Sequence, residues 1–214
     1  MSVDYKTYWR KSGFKKDWGN IFLNIVNQHK PKVFLEVGVF CGVTARNVCE
    51  LLNIIHSGNF KYVGIDLFGD KANEDEKVPN YLKKQSFSNP IKNLFYNIIL
   101  RENLNSYESV QKFLKKYSKN ITLIKGNSNK ILQHLDMENI DFAFLDGGHS
   151  FETVFNDLNL LFDKISLNKD AIILCDDYED ADYITGVKKA VDQFVEEKKL
   201  KFEVIEKRFA KITI

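Results

Sequence analysis

KVFLEVGVFCGVTARNVCELLNII, residues 32–55, decides the fold. Its first six residues, KVFLEV (32–37), form an apolar run of strand length. Gly38 and Gly42 punctuate the turn that follows. Val48, Leu51, Leu52 and Ile55 then recur at helical spacing, so a helix is predicted over 45–55. A strand, a glycine-containing turn and a helix make the opening unit of an α/β sheet. The same rhythm recurs downstream. KYVGIDL (61–67), ITLIKG (121–126), IDFAFLD (140–146) and DAIILCD (170–176) read as strands, with helices over 129–135, 151–165 and 184–199. Such alternation predicts a doubly wound parallel sheet with helices on both faces. The tail KFEVIEKRFAKITI (201–214) departs from it, because two strand-like runs meet with few residues between them. That pattern predicts a hairpin whose last strand is antiparallel.

Carboxylates stand where these strands end: Glu36, Asp66, Asp146, Asp176 and Asp177. In an open parallel sheet the ligand crevice lies outside the carboxyl ends of the strands. These acids, scattered along 140 residues, are therefore expected at one site, with His149 three residues beyond Asp146 in an Asp-Gly-Gly-His turn.

The chain has 214 residues, 44% hydrophobic, with a formal charge of +2. That suits one domain over 1–214 with a sizeable core and no disulfide staples. Arginines stand only at Arg10, Arg46, Arg101 and Arg208, and no dense basic stripe appears, which argues against a nucleic-acid partner. Cys41, Cys49 and Cys175 lack CxxC spacing and cannot all pair, as expected of a reducing cytoplasm. The N-terminal residues lack the apolar stretch of a signal peptide, and no segment approaches the roughly 20 apolar residues of a membrane span. A soluble cytoplasmic protein is expected, with no membrane partner. Phe14 and Trp18, read as surface apolar residues, are candidates for a homodimer contact.

Two segments lie outside the alternation. Residues 1–30 are expected to supply a helix or two beside the sheet. Residues 69–118 separate the second and third strands by more than an ordinary crossover needs. Two or three helices are expected there, either lying over the crevice as a substrate lid or packed for stability.

The first turn, Glu36 to Thr44, is not a dinucleotide fingerprint: Phe40 and Val43 stand where two of its glycines belong. A Phe at the middle glycine position obstructs close approach of a pyrophosphate, so NAD and FAD are disfavoured. Asp66 is a natural acceptor for ribose hydroxyls. Gly126-Asn127-Ser128 reads equally as a contact to an adenine edge or as a helix N-cap at Ser128.

In combination, FLEVGVFCGVTA, YVGIDLF, IKGNS, FAFLDGGHSFETVFNDL and ILCDDYEDADYITGVKKAVDQF resemble a class I S-adenosylmethionine-dependent methyltransferase. The similarity is closer to the metal-dependent sugar O-methyltransferases of the macrocin and mycinamicin type. Phe40 departs from the general class, and Phe151 stands where a Tyr is common. The resemblance implies seven strands in the order 3-2-1-4-5-7-6 with strand 7 antiparallel. It also implies that Glu36, Gly38 and Gly42, in the turn running to Thr44, line the methionine and ribose of the cofactor. Asp66 would hold the ribose, Asn127 and Ser128 would lie near the adenine, and Asp146 would border the same cofactor.

Asp146, Asp176 and Asp177 come from neighbouring strands, and like charges so close call for a cation. A hard divalent ion, Mg²⁺ or Mn²⁺, suits that oxygen set. The alternatives are that Asp176 or Asp177 caps a helix and Asp146 merely opens a turn. His149 is the candidate general base, since an unperturbed imidazole is largely neutral at pH 7. Otherwise it is a turn histidine bonded to backbone. The expected reaction is O-methylation of a small-molecule hydroxyl, favouring a sugar or nucleotide-linked sugar by resemblance. A catechol-like phenol, metal-free N-methylation and a non-catalytic adenosyl-binding module stand as alternatives.

Overall fold

The computed structural model describes residues 4–69, 85–137, 139–165, 170–179 and 185–214. Five parallel strands form first: β1 (Val33–Val37), β2 (Lys61–Asp66), β3 (Ile121–Lys125), β4 (Phe142–Leu145) and β5 (Ile172–Cys175). The tail makes the expected hairpin of β6 (Lys201–Ile205) and β7 (Phe209–Thr213). The seven strands run in the order β3-β2-β1-β4-β5-β7-β6, with β7 antiparallel to both neighbours.

Alternation along the strands sends side chains into two cores. On one face Phe34, Tyr62, Phe142 and Phe144 pack under α1 (Lys16–His29) and α2 (Val43–His56). On the other, Leu35, Val37, Val63, Ile65 and Leu145 meet helices from the second half of the chain. One of these, Phe151–Ile165, buries Val154, Asp157, Leu158, Leu161 and Ile165, a stripe at helical spacing.

The insertion is helical where it is described. A short helix α3 (Pro90–Leu94) runs into a π-helical turn over Phe95–Ile99, and α4 (Tyr107–Phe113) follows. Val110, Leu114 and Tyr117 belong to the same core as the sheet, so this half is built into the domain. Residues 70–84 of the expected lid lie outside the described residues. The remaining helices are α5 (Ser128–His134), α6 (Phe151–Ile165) and α7 (Thr185–Lys198). Among the described residues no helix is long and apolar enough to cross a membrane.

One sequence expectation fails here. Phe14 is no surface residue: it is 2% exposed and packs on Tyr5, Phe22, Phe144 and Phe209, while Trp18 lies half-buried against Phe209. Irregular chain before α1 folds back over the sheet and carries Phe14 into the core. Among the described residues the exposed apolar side chains include Trp9, Ile91, Leu94, Ile98 and Ile99.

Candidate active site

Strand pairing continues one rung beyond the strands and lines up the residues that follow them. Gly38 N–H donates to Ile65 O at 2.9 Å, Asp146 N–H to Val37 O at 2.8 Å, and Asp176 N–H to Leu145 O at 2.9 Å. The carboxyl ends of β1, β4 and β5 therefore share one edge. Gly38 has φ +94, and a Cβ there would lie 2.0 Å from the Asp146 carbonyl oxygen. Only glycine lets the β1 turn lie against the β4 turn.

Two small clefts open at this edge. One is lined by Lys11, Ser12, Gly13, the turn residues Gly38 to Phe40, Val43 and Thr44, and Asp146. The other is lined by Asp146, Gly147, Gly148, His149, Asp176, Asp177 and Val187. Asp146 is the wall common to both.

In the second cleft Asp146, Asp176 and Asp177 each present an oxygen within 4.8 Å of the others. Asp177 has a left-handed backbone, φ 58, and its Oδ2 lies 3.2 Å from His149 Nε2. Burial, then the charges of Asp176, Asp177 and Glu36, hold the Asp146 carboxyl well above the usual range. Asp176 is pushed up to about 6, chiefly by burial and against the pull of Arg208. Arg208 donates from Nε and Nη2 to the two oxygens of Asp176 at 2.6 and 2.7 Å. Three carboxylates and one guanidinium leave two formal negative charges, which suits one divalent cation held by hard oxygens.

The turn bearing His149 is fixed from behind by α7. A Cβ on Gly186 would lie 2.3 Å from the His149 carbonyl oxygen and 2.7 Å from Phe151 N. The Gly186-Val187 start is thus a close-approach position that seats α7 on the His149 turn.

The first cleft has the features of a cofactor seat. Phe40 stands in the left-handed region, φ 51, and its N–H donates to Asp66 Oδ2 at 2.8 Å. Asp66 also accepts from Phe68 N–H at 2.6 Å; burial raises its carboxyl while these backbone bonds lower it. Phe40 packs with Cys41, Tyr96 and Leu104, so the ring occupies a small apolar cluster of the insertion. Thr44 Oγ1 and Ser12 Oγ both bond Tyr5 Oη, at 3.1 and 2.7 Å.

Glu36 lies one residue inside β1 rather than at its end, because the strand runs on to Val37. It is fully buried, takes a short hydrogen bond from Tyr62 Oη on one oxygen, and leaves Oε1 with no partner. An orphaned buried acceptor beside the β1 turn, glycines at Gly38 and Gly42, and acid at Asp66 fit a zwitterionic nucleoside cofactor.

Ser128 is not the N-cap. It is the first residue of α5, Asn127 is the cap without a side-chain bond, and Ser128 Oγ donates to Asp157 Oδ2 at 2.8 Å. Buried Asp157 takes that hydroxyl, so the sequence signal there served helix packing. The N-cap reading of Ser128 therefore falls.

Sequence reasoning missed Arg208, Arg10 and the Lys11-Ser12-Gly13 stretch. Arg10 is buried and donates to Cys41 O, Leu104 O and Ser109 Oγ at 3.0, 2.9 and 3.0 Å, tying the N-terminal segment to the insertion. Rarity was the available signal: four arginines among 31 basic residues, in a chain that otherwise uses lysine.

Residues 35–178 match the family described as Methyltransferase domain. The chain belongs to that family. Among curated proteins, uncharacterized protein R132 of Acanthamoeba polyphaga mimivirus is 38% identical over 72 residues. That alignment covers 31% of this methyltransferase and 32% of the viral protein. Among solved structures, the SAH-bound methyltransferase PaMTH1 of Podospora anserina superposes with TM-score 0.62 at 17% identity, over 97% of this chain and 83% of that one. CalS11, described as a TDP-rhamnose 3'-O-methyltransferase of calicheamicin biosynthesis, gives TM-score 0.57 at 15% identity, over 90% and 77%. At such identities the likeness establishes the fold of the methyltransferase and no more.

Proposed function

We propose that this methyltransferase uses S-adenosylmethionine and a divalent cation, Mg²⁺ or Mn²⁺, to methylate a hydroxyl of a small molecule, with a sugar or nucleotide-linked sugar favoured. The observation that carries this reading is Asp146 standing between two clefts. One cleft has the glycine turn and the other has the acids with His149. Likeness in fold to the SAH-bound PaMTH1 supports the cofactor, and likeness to the TDP-rhamnose enzyme supports the sugar.

S-Adenosylmethionine, when bound, supplies a methyl group on a positively charged sulfur. A divalent cation, when bound, acidifies a hydroxyl that touches it. The residues do the rest. Gly38, Gly42, Thr44 and Asp66 form the cofactor seat, with Glu36 beneath it. Asn127 and Ser128 stand at the end of β3, where an adenine would lie. Asp146, Asp176 and Asp177 would hold the cation. Asp177 sits against His149 Nε2, orienting the ring and stabilising the imidazolium formed when the ring takes the hydroxyl proton. Position and a dry cleft account for most of the remaining rate.

The test is methyl transfer from S-adenosylmethionine to a panel of free sugars, nucleotide sugars, catechols and amines, with added Mg²⁺ or after exhaustive chelation. Product 14 mass units heavier on a sugar hydroxyl is expected with the cation and not without it. Undiminished turnover after chelation, or methylation confined to amines, would sink the reading.

A further inference from the structure

Arg208 belongs to the β6–β7 hairpin, far in sequence from the residues it joins. Its carbonyl accepts the Tyr178 N–H at 2.9 Å, which docks the hairpin turn on the residue after the Asp pair. Its guanidinium lies 5.1 Å from the ring centre of Phe14, 5.4 Å from Trp18 and 5.8 Å from Phe209. Side-chain exposure is 11% for Arg208 and 2% for Asp176. The fork spans both oxygens of Asp176, and Nη2 is also 3.5 Å from Asp177 Oδ1.

This is a built counter-ion. Planar stacking among aromatic rings and a two-pronged grip on a carboxylate are properties of arginine that lysine lacks. Drawing Asp176 toward a bound metal would break the two-pronged grip of a desolvated guanidinium. A buried charge left in that state is costly. Asp177 is the more open of the pair, 15% exposed against 2% for Asp176, and with Asp146 it lines the cleft that holds His149.

We propose that Arg208 is a positioning residue that reserves Asp176 for itself, so that the divalent cation is held by Asp146 and Asp177 without Asp176. The proposal rests on the cation reading above and deepens it. Two protein carboxylates leave the remaining places of the ion's oxygen shell to water and to the acceptor, on the side where His149 stands. Asp176 then acts through Arg208, setting the charge of the cleft at the value one dication neutralises.

The test is Mn²⁺ affinity, read by paramagnetic resonance of free Mn²⁺ and by calorimetry on the full chain. Asp177→Asn is expected to weaken binding by more than about 100-fold, and the paired variant Asp176→Asn with Arg208→Met by no more than about tenfold. Loss in the paired variant as complete as in Asp177→Asn would overturn the assignment and leave the cation reading intact. A wild-type protein that takes up no Mn²⁺ would remove both. Should the paired variant fail to fold, anomalous diffraction from wild-type crystals with Mn²⁺ decides. Density bonded to Asp146 and Asp177, with Asp176 still on Arg208, is expected; a bond from Mn²⁺ to Asp176 overturns the proposal.

Discussion

Glu36 shows how a site residue can strain the fold that carries it. Its burial without a partner on Oε1 pushes its carboxyl up to about 8 from 4.5, against the bond from Tyr62. The folded protein therefore keeps a proton that the unfolded chain gives up. The stability this represents is complete below pH 4.5 and lost progressively as pH rises to about 8. Across that range the loss amounts to about 5 kcal/mol. Glu36→Gln keeps an acceptor for Tyr62 and cannot ionise. Urea unfolding at pH 5 and at pH 8 should show wild type losing more stability than the variant. Equal losses would mean that Glu36 is not desolvated. At the other cleft, His149→Ala should lower kcat by 10²- to 10⁴-fold while leaving affinity for the cofactor product nearly unchanged, as measured by calorimetry.

Elements hold these residues through contacts that tolerate little change. Alanine at Gly186 would drive α7 off the His149 turn, since its Cβ falls 2.3 Å from backbone. Gly186→Ala is expected to cost about 1–3 kcal/mol and to lower turnover, read from thermal unfolding and initial rates. Arg10→Met removes three hydrogen bonds under the insertion; limited proteolysis should then cut before α1 sooner than in wild type. These contacts also mark where the sequence was legible. The strands, the hairpin and α6 followed from period and apolar runs, because both cores are built by local alternation; the strand order came from the family resemblance. Asp146, Asp177 and His149 were readable because strand ends carry them to one edge. Arg208 was not, since it reaches Asp176 across 32 positions through a tertiary contact that leaves no local pattern. Phe14 misled because a lone aromatic in irregular chain has no periodicity to reveal which side it faces. Glu36 was placed one residue too near the crevice, a boundary error that alternation turns into burial.

For the molecule as a whole, the two clefts lie at the one edge where β1, β4 and β5 end, and the remaining sheet serves to hold that edge. Binding of S-adenosylhomocysteine to the folded state alone, at 100 times its dissociation constant, should add about 2.7 kcal/mol. For a chain of this size that raises the melting temperature by roughly 5–11 °C in a thermal shift experiment. No rise with saturating ligand would argue against the cofactor seat. The single carboxylate between the clefts also has a consequence for how occupancy is counted. A donor and an ion bound as proposed would both feel the charge of Asp146, so whatever factor the ion applied to the donor's dissociation constant, the donor would apply to the ion's. A titration of either one alone therefore describes a different protein from the one that turns over.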